Sequence, residues 1–180
     1  MIWSLFRNNP RRAAIEALYN RVAAASREPA LYRDLGVPDT VEGRFESLTL
    51  HAFLTLRRLR SLPQPAAEVS QDFVDFVFKR LDLALRELGV GDLSVGKRIK
   101  KLAQAFYGRA EAYDAALNQA DDEALAQALG RNLTGRDEPS RELAAYVRAS
   151  DAALAKLDLA ALLDQPWSFP APASQREPNP

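Results

Sequence analysis

The sequence predicts an all-α fold: one domain of about six to seven helices followed by a Pro-rich C-terminal tail. Three observations predict it. No segment shows the period-2 apolar alternation of a strand. Long apolar-periodic stretches end instead at Gly or Pro, at Gly36, Pro63, Gly89 and Gly135. Finally, Val95, Ile99, Leu102, Phe106, Ala110, Tyr113 and Leu117 recur at steps of 4, 3, 4, 4, 3 and 4, which keeps them on one face of a helix.

The elements follow in order. Asn9 before Pro10 reads as an N-cap with Pro at the first helical position, opening a helix to about Ser26 with Ile15, Leu18, Tyr19 and Val22 inward. A short helical turn over 29–35 ends at Gly36. Asp39-Thr40-Val41-Glu42 has capping-box spacing, with Asp39 three residues before Glu42, and starts a helix to about Ser61 that Pro63 and Pro65 end. The next helix spans roughly Ala66–Leu88. Its apolar arc, from Phe73, Val74, Phe76, Val77 and Phe78 on to Leu81, Leu83, Leu85 and Leu88, covers about 220° of circumference. Such an arc fits a central helix buried between neighbours or a groove for a partner's apolar helix. Ser94 is the expected cap of the helix to Asn118. A shorter helix opens at Asp121 or Asp122, runs to Leu133 and closes at Gly135. A last stretch starts at Asp137-Glu138-Pro139 and runs through Leu163 with a break near Asp158.

The expected division is a helical domain over residues 1–165 and a flexible Pro-rich tail over 166–180. Five prolines in the last fifteen residues exclude a helix there, so Trp167 and Phe169 either tuck back onto the body or swing free. Phe73, Val77, Leu81, Ile99, Leu102 and Phe106 are expected to share one core.

Composition narrows function. The 180 residues carry 24 Lys+Arg against 24 Asp+Glu, and apolar residues at 47% suit a packed domain. With no Cys, disulfides, thiolate zinc sites and thiol nucleophiles are excluded, and the lone His51 denies the chain a His-His-carboxylate metal site of its own. His51 stands among Arg44, Ser47, Thr55 and Arg58, with no carboxylate four residues away to orient it; a hydrogen-bonding structural role fits better than catalysis. Neither a phosphate loop nor a dinucleotide fingerprint is present. No catalytic residue, cofactor or metal is therefore expected. The longest uncharged stretch in the body, Ser47–Leu56, is ten residues, well short of a membrane span.

Charge is asymmetric beneath the neutral total. Residues 1–110 carry 18 basic and 12 acidic groups, and residues 111–180 carry 6 and 12. Within Ser94–Ala110 there is no acid, and Lys97, Arg98, Lys100, Lys101 and Arg109, with Tyr107 and Gly108 beside them, form a candidate basic face for a partner. A mid-helix glycine is costly, so Gly108 marks a place where something approaches the backbone. His51 with Arg57, Arg58 and Arg60 makes a second candidate cluster, the arginines at a helix C-terminus where cations offset the macrodipole. At the N-terminus, Ile2, Trp3, Leu5 and Phe6 precede Arg7, Arg11 and Arg12. They are candidates for contact with a client or a membrane rather than a secretory signal, since no small-residue cleavage site follows.

Several of these segments resemble the ubiquinol-cytochrome c chaperone family. They are Leu31-Tyr32-Arg33-Asp34-Leu35-Gly36-Val37-Pro38-Asp39-Thr40, Ser47–His51 leading to Arg57-Arg58-Leu59-Arg60, and Val95-Gly96-Lys97 through Phe106-Tyr107-Gly108-Arg109 to Tyr113. The last is Asp121-Asp122 running to Arg131-Asn132-Leu133. They lie in the family's order across residues 31–133. One departure is Gly130, where mitochondrial members carry an aromatic before the Arg-Asn pair; another is the lack of an N-terminal targeting extension, which implies a bacterial-type member. The resemblance implies a helical, non-enzymatic assembly chaperone for complex III that binds newly made cytochrome b. It also implies partners in the ribosome or a second assembly factor. DNA is not among the expected partners. The expected location is the cytoplasm, peripherally on the inner (plasma) membrane and in contact with its anionic surface. The alternative from the residues alone is a peripheral membrane or RNA-binding helical adaptor without a cytochrome client.

Overall fold

The computed structural model describes residues 10–119 and 122–172, and among these the regular structure is entirely helical. The helices are α1 (Pro10–Ala25), α2 (Pro29–Arg33), α3 (Val41–Arg60), α4 (Ala66–Glu87), α5 (Asp92–Asn118), α6 (Asp122–Leu129), α7 (Arg141–Leu154) and α8 (Leu159–Asp164). A π-helical turn, Gly130–Thr134, continues α6. Gly36, Gly89 and Gly135, the expected stops, all have positive φ, at 75°, 82° and 68°. After α4 the stop is a complete Schellman closure: Val90 N–H donates to Leu85 O at 3.0 Å and Gly89 N–H to Arg86 O at 2.9 Å.

The centre of the molecule is α3, not α4. Every residue from Thr49 to Leu56 is buried, so more than two turns of α3 are covered all round. Helices α1, α4, α5 and α7 and the π turn pack around it. By contrast α4 is buried only in its first half, at Ala66, Val69, Ser70, Phe73, Val74 and Val77. Beyond Leu81 nothing on α4 is fully buried, and before Phe106 only Val95 is buried on α5. The far half of α4 and the near half of α5 thus form an antiparallel hairpin that leaves the body, rising about 15 Å at 1.5 Å per residue. Phe73, Val77 and Phe106 share the main core, with Leu81 half-buried against it. Ile99 and Leu102 are half-buried higher up the hairpin and continue the stripe outside that core.

Three caps differ from expectation. Thr40, in extended backbone, accepts from Gly43 N–H at 3.1 Å, while Asp39 turns outward to Arg44 at 2.7 Å. Ser94 lies inside α5, which begins at Asp92 after an extended Gly91. The last long helix starts at Arg141 rather than near Pro139, because Ser140 N–H donates back to Ala126 O at 3.0 Å and holds the connection against α6. Asp158 does break the final stretch: its side chain caps α8 by accepting from Ala161 N–H at 2.8 Å. The Asn9 cap and the Asp121 start lie outside the described residues.

Of the two arrangements open to Trp167 and Phe169, the docked one is present. Trp167 Nε1–H donates to Leu162 O at 3.0 Å under the Arg21 guanidinium, and Phe169 is 8% exposed, its ring edge-on to His51 at 4.9 Å.

The π turn places Gly130 against the connection to α7. A Cβ there would meet Glu138 O at 2.0 Å and Glu138 C at 3.0 Å, and both are backbone atoms that cannot swing aside. The position that carries an aromatic in the mitochondrial pattern therefore has no room for a side chain in this chain. Gly130→Ala is expected to cost about 1–3 kcal/mol through overpacking, read as a lowered urea midpoint. A midpoint equal to the wild type's would show that the connection moves freely.

Candidate interaction surfaces

The basic face is carried by the hairpin strand of α5. Lys97, Arg98, Lys100 and Lys101 are exposed, and within the described residues none makes an ion pair or hydrogen bond. Exposure follows from the helical period, since Val95, Ile99 and Leu102 face α4 and turn the basic residues outward. Tyr107 is 49% exposed, its ring 6.5 Å from Phe78 and perpendicular to Phe106 at 5.5 Å. The space over Gly108 is open, with no atom of the described residues beyond its own turn of helix within 4 Å of a Cβ placed there, so the close approach expected at this glycine is not made by the chain itself.

Arg109 does not belong to this face. Its guanidinium turns inward and pairs with Glu46 of α3. Glu46 is only 13% exposed in its side chain, and burial pushes its carboxyl above the ordinary range despite the arginine. The pair joins α3 to α5 across 63 residues of sequence, which is why the acid-free stretch 94–110 reads as a fifth unopposed charge.

The second cluster divides. His51 is fully buried, so it contacts no partner at the surface, as a correction to its place among the candidates. Its Nδ1 lies 2.7 Å from Ser47 O and its Nε2 2.7 Å from the Tyr146 hydroxyl. A carbonyl only accepts, so Nδ1 carries the proton and the Tyr146 hydroxyl donates to Nε2. Burial lowers the imidazole pKa to about 4, keeping it neutral at pH 7, and pushes the Tyr146 phenol up to about 12.

Arg57 is an internal clamp: it pairs with Asp114 of α5, reaches Asp151 of α7 at 3.2 Å and donates to Asn118 Oδ1 at 2.9 Å. Arg58 donates to Leu157 O at 2.7 Å. Of the three, Arg60 is exposed and the others half-buried, and all three line a shallow cleft of about 410 Å³ beside Phe53, Asp114 and Asp151. The acids that neutralise this cluster come from α5 and α7, and local sequence around Arg57 holds no signal of them. Ile2, Trp3, Leu5 and Phe6 lie outside the described residues.

Leu83 and Leu88 of the wide apolar arc on α4, and Leu93 at the start of α5, are not covered by neighbouring helices. Leu83 is 41% exposed, Leu88 64% and Leu93 96%. With Val41 and Tyr107 they are the large apolar side chains left exposed among the described residues. Also among the described residues, no helix is long and apolar enough to cross a membrane, and no cluster of three or more metal-ligating side chains occurs.

The family model described as "Ubiquinol-cytochrome C chaperone" matches residues 33–169, from the end of α2 through the docked Phe169. The chain belongs to the ubiquinol-cytochrome c chaperone family. The crystal structure of the Cbp3 homolog from Brucella abortus superposes with a TM-score of 0.79 at 40% sequence identity, covering 94% of this chain and 96% of that one. No curated protein matches the sequence. At the level this membership fixes, a ubiquinol-cytochrome c chaperone is an assembly factor of complex III. Its matched span contains α3, the hairpin, the basic face and the π turn, so all the surfaces described above lie within the family's shared part.

Proposed function

We propose that the chain is a non-enzymatic chaperone that binds newly made cytochrome b and holds it for assembly into complex III, working in the cytoplasm at the face of the inner (plasma) membrane. The observation that carries this reading is the family match over residues 33–169 together with 40% identity to the Cbp3 homolog along nearly the whole chain. The physical features suit the task. A client that is itself a membrane protein must be met beside a bilayer, and the hairpin offers exposed leucines and unpaired cations on one projecting element. Tyr107, the open surface over Gly108, Arg60 and the N-terminal Ile2, Trp3, Leu5 and Phe6 remain candidate contacts for the client, a ribosome or a second assembly factor.

The test is co-purification. A tagged chain is expected to bring down cytochrome b from cells making complex III, and cells lacking the chain are expected to accumulate less assembled complex. Unchanged complex III without the chain, with no cytochrome b on the tagged protein, would overturn the reading and favour a client-free adaptor.

A further inference from the structure

We infer that the turn of the α4–α5 hairpin is a membrane wedge: Leu88 and Leu93 enter the acyl boundary of an anionic bilayer while Lys97, Lys100 and Lys101 contact its headgroups. This rests on the membrane-side location proposed above and assigns the element that makes the contact.

Three features converge on this turn. The two most exposed leucines of the described chain stand five residues apart at the outermost point of the projecting hairpin, where no neighbouring element covers them. Behind them, the unpaired lysines stand one to two helical turns back along α5. At 1.5 Å per residue, Lys97 is about 6 Å and Lys101 about 12 Å from Leu93 along the axis. An interfacial apolar face sits about 5–10 Å below the headgroup boundary, so leucines at that depth place the lysines at the level of lipid phosphates. The acids near the turn, Asp82, Glu87 and Asp92, do not cancel this field: over residues 79–101 they stand against seven basic groups, and two of them, Asp82 and Asp92, pair with Arg86. A nucleic acid would use the lysines but leave Leu88 and Leu93 in water, whereas a bilayer uses both.

The wedge is tested with the full chain and vesicles of neutral phosphatidylcholine, with and without about one-third phosphatidylglycerol. The chain has no cysteine, so Leu93→Cys carries a single polarity-sensitive dye, and Ala152→Cys on the exposed side of α7 serves as the control. Binding is expected to anionic vesicles only, with a blue shift at position 93 and none at 152. The L88S/L93S pair is expected to lower vesicle affinity at least about tenfold without moving the melting temperature, since neither leucine is in the core. Replacing Lys97, Lys100 and Lys101 by Gln is expected to lower it about a hundredfold, near fivefold per charge. Vesicle binding with the dye still in water, and affinity untouched by the serines, would overturn the wedge while leaving the membrane-side location intact. No binding to anionic vesicles at all would overturn both. Retention on ribosomal RNA with vesicles ignored would overturn the wedge and assign the lysines to phosphodiester contacts.

Discussion

Replacing Phe106 by Ala is expected to destabilise the protein by about 3–5 kcal/mol, a large share of the roughly 5–15 kcal/mol that holds a domain folded. The ring is 1% exposed and stands at the root of the hairpin, where α5 enters the body. It meets Phe78 edge-on at 5.6 Å and Tyr107 at 5.5 Å, and it belongs to the same core as Phe73 and Val77. Removing it deletes apolar burial and opens a cavity that cannot collapse, because α4 and α5 are held apart by their other side chains. It also loses two aromatic contacts of about 0.5–1.5 kcal/mol each, included in that range. Phe106→Leu, which keeps most of the volume, is expected to cost well under half as much. Urea unfolding of the three proteins measures this. A loss below about 1 kcal/mol for the alanine variant would mean that the hairpin root repacks, and the two halves of α5 would then not be rigidly joined.

The contrast along α5 shows what the sequence could and could not say. The stripe from Val95 to Leu117 is as regular at Ile99 and Leu102 as at Phe106 and Tyr113, yet the first pair is half-buried on a projecting hairpin and the second lies in the core. Periodicity reports that a face is apolar, not whether the body, one neighbouring helix or a bilayer covers it. The same ambiguity made α4 look like the central helix. The sign of the true centre was the ten-residue uncharged run Ser47–Leu56, since a helix covered on all sides has no room for a charged flank. Helix stops were legible because Gly36, Gly89 and Gly135 each solve a local backbone problem. The N-terminal caps at Thr40, Gly91 and Ser140 were each shifted by a residue or more, because neighbouring polar residues compete for the role and tertiary contacts choose among them. The basic face at Lys97, Lys100 and Lys101 was legible as charge without local opposition. The partners of Arg57 and Arg109 were not legible, because Asp114 and Glu46 lie 57 and 63 residues away and only the fold brings them together.

His51 gives the second large effect, a loss of stability on acidification. In the unfolded chain its imidazole titrates near pH 6.5, and in the folded protein burial lowers that to about 4, only partly offset by the Ser47 carbonyl. Between these values the unfolded state binds the extra proton, so stability rises with pH. The contribution is fully present above about pH 6.5, falls progressively below it, and is exhausted by about pH 4; a shift of this size is worth about 3 kcal/mol. The geometry says why. With Nδ1–H given to Ser47 O and Nε2 accepting from Tyr146, the neutral ring is satisfied at both nitrogens, joins α3 to α7 and backs onto Phe169 of the docked tail. Adding a proton places an uncompensated charge in that interior and removes the acceptor that Tyr146 uses. The ion pairs of Arg57 and Arg11 also weaken in acid, so the wild-type slope alone does not isolate the histidine. His51→Gln does: Gln keeps a hydrogen-bonding side chain but has no proton to gain. Its urea midpoint is expected to start below that of the wild type at pH 7.5 and to converge on it by pH 4.5. Midpoints that fall in parallel over this range would show that His51 charges in place, and that the interior between α3, α7 and the tail admits water.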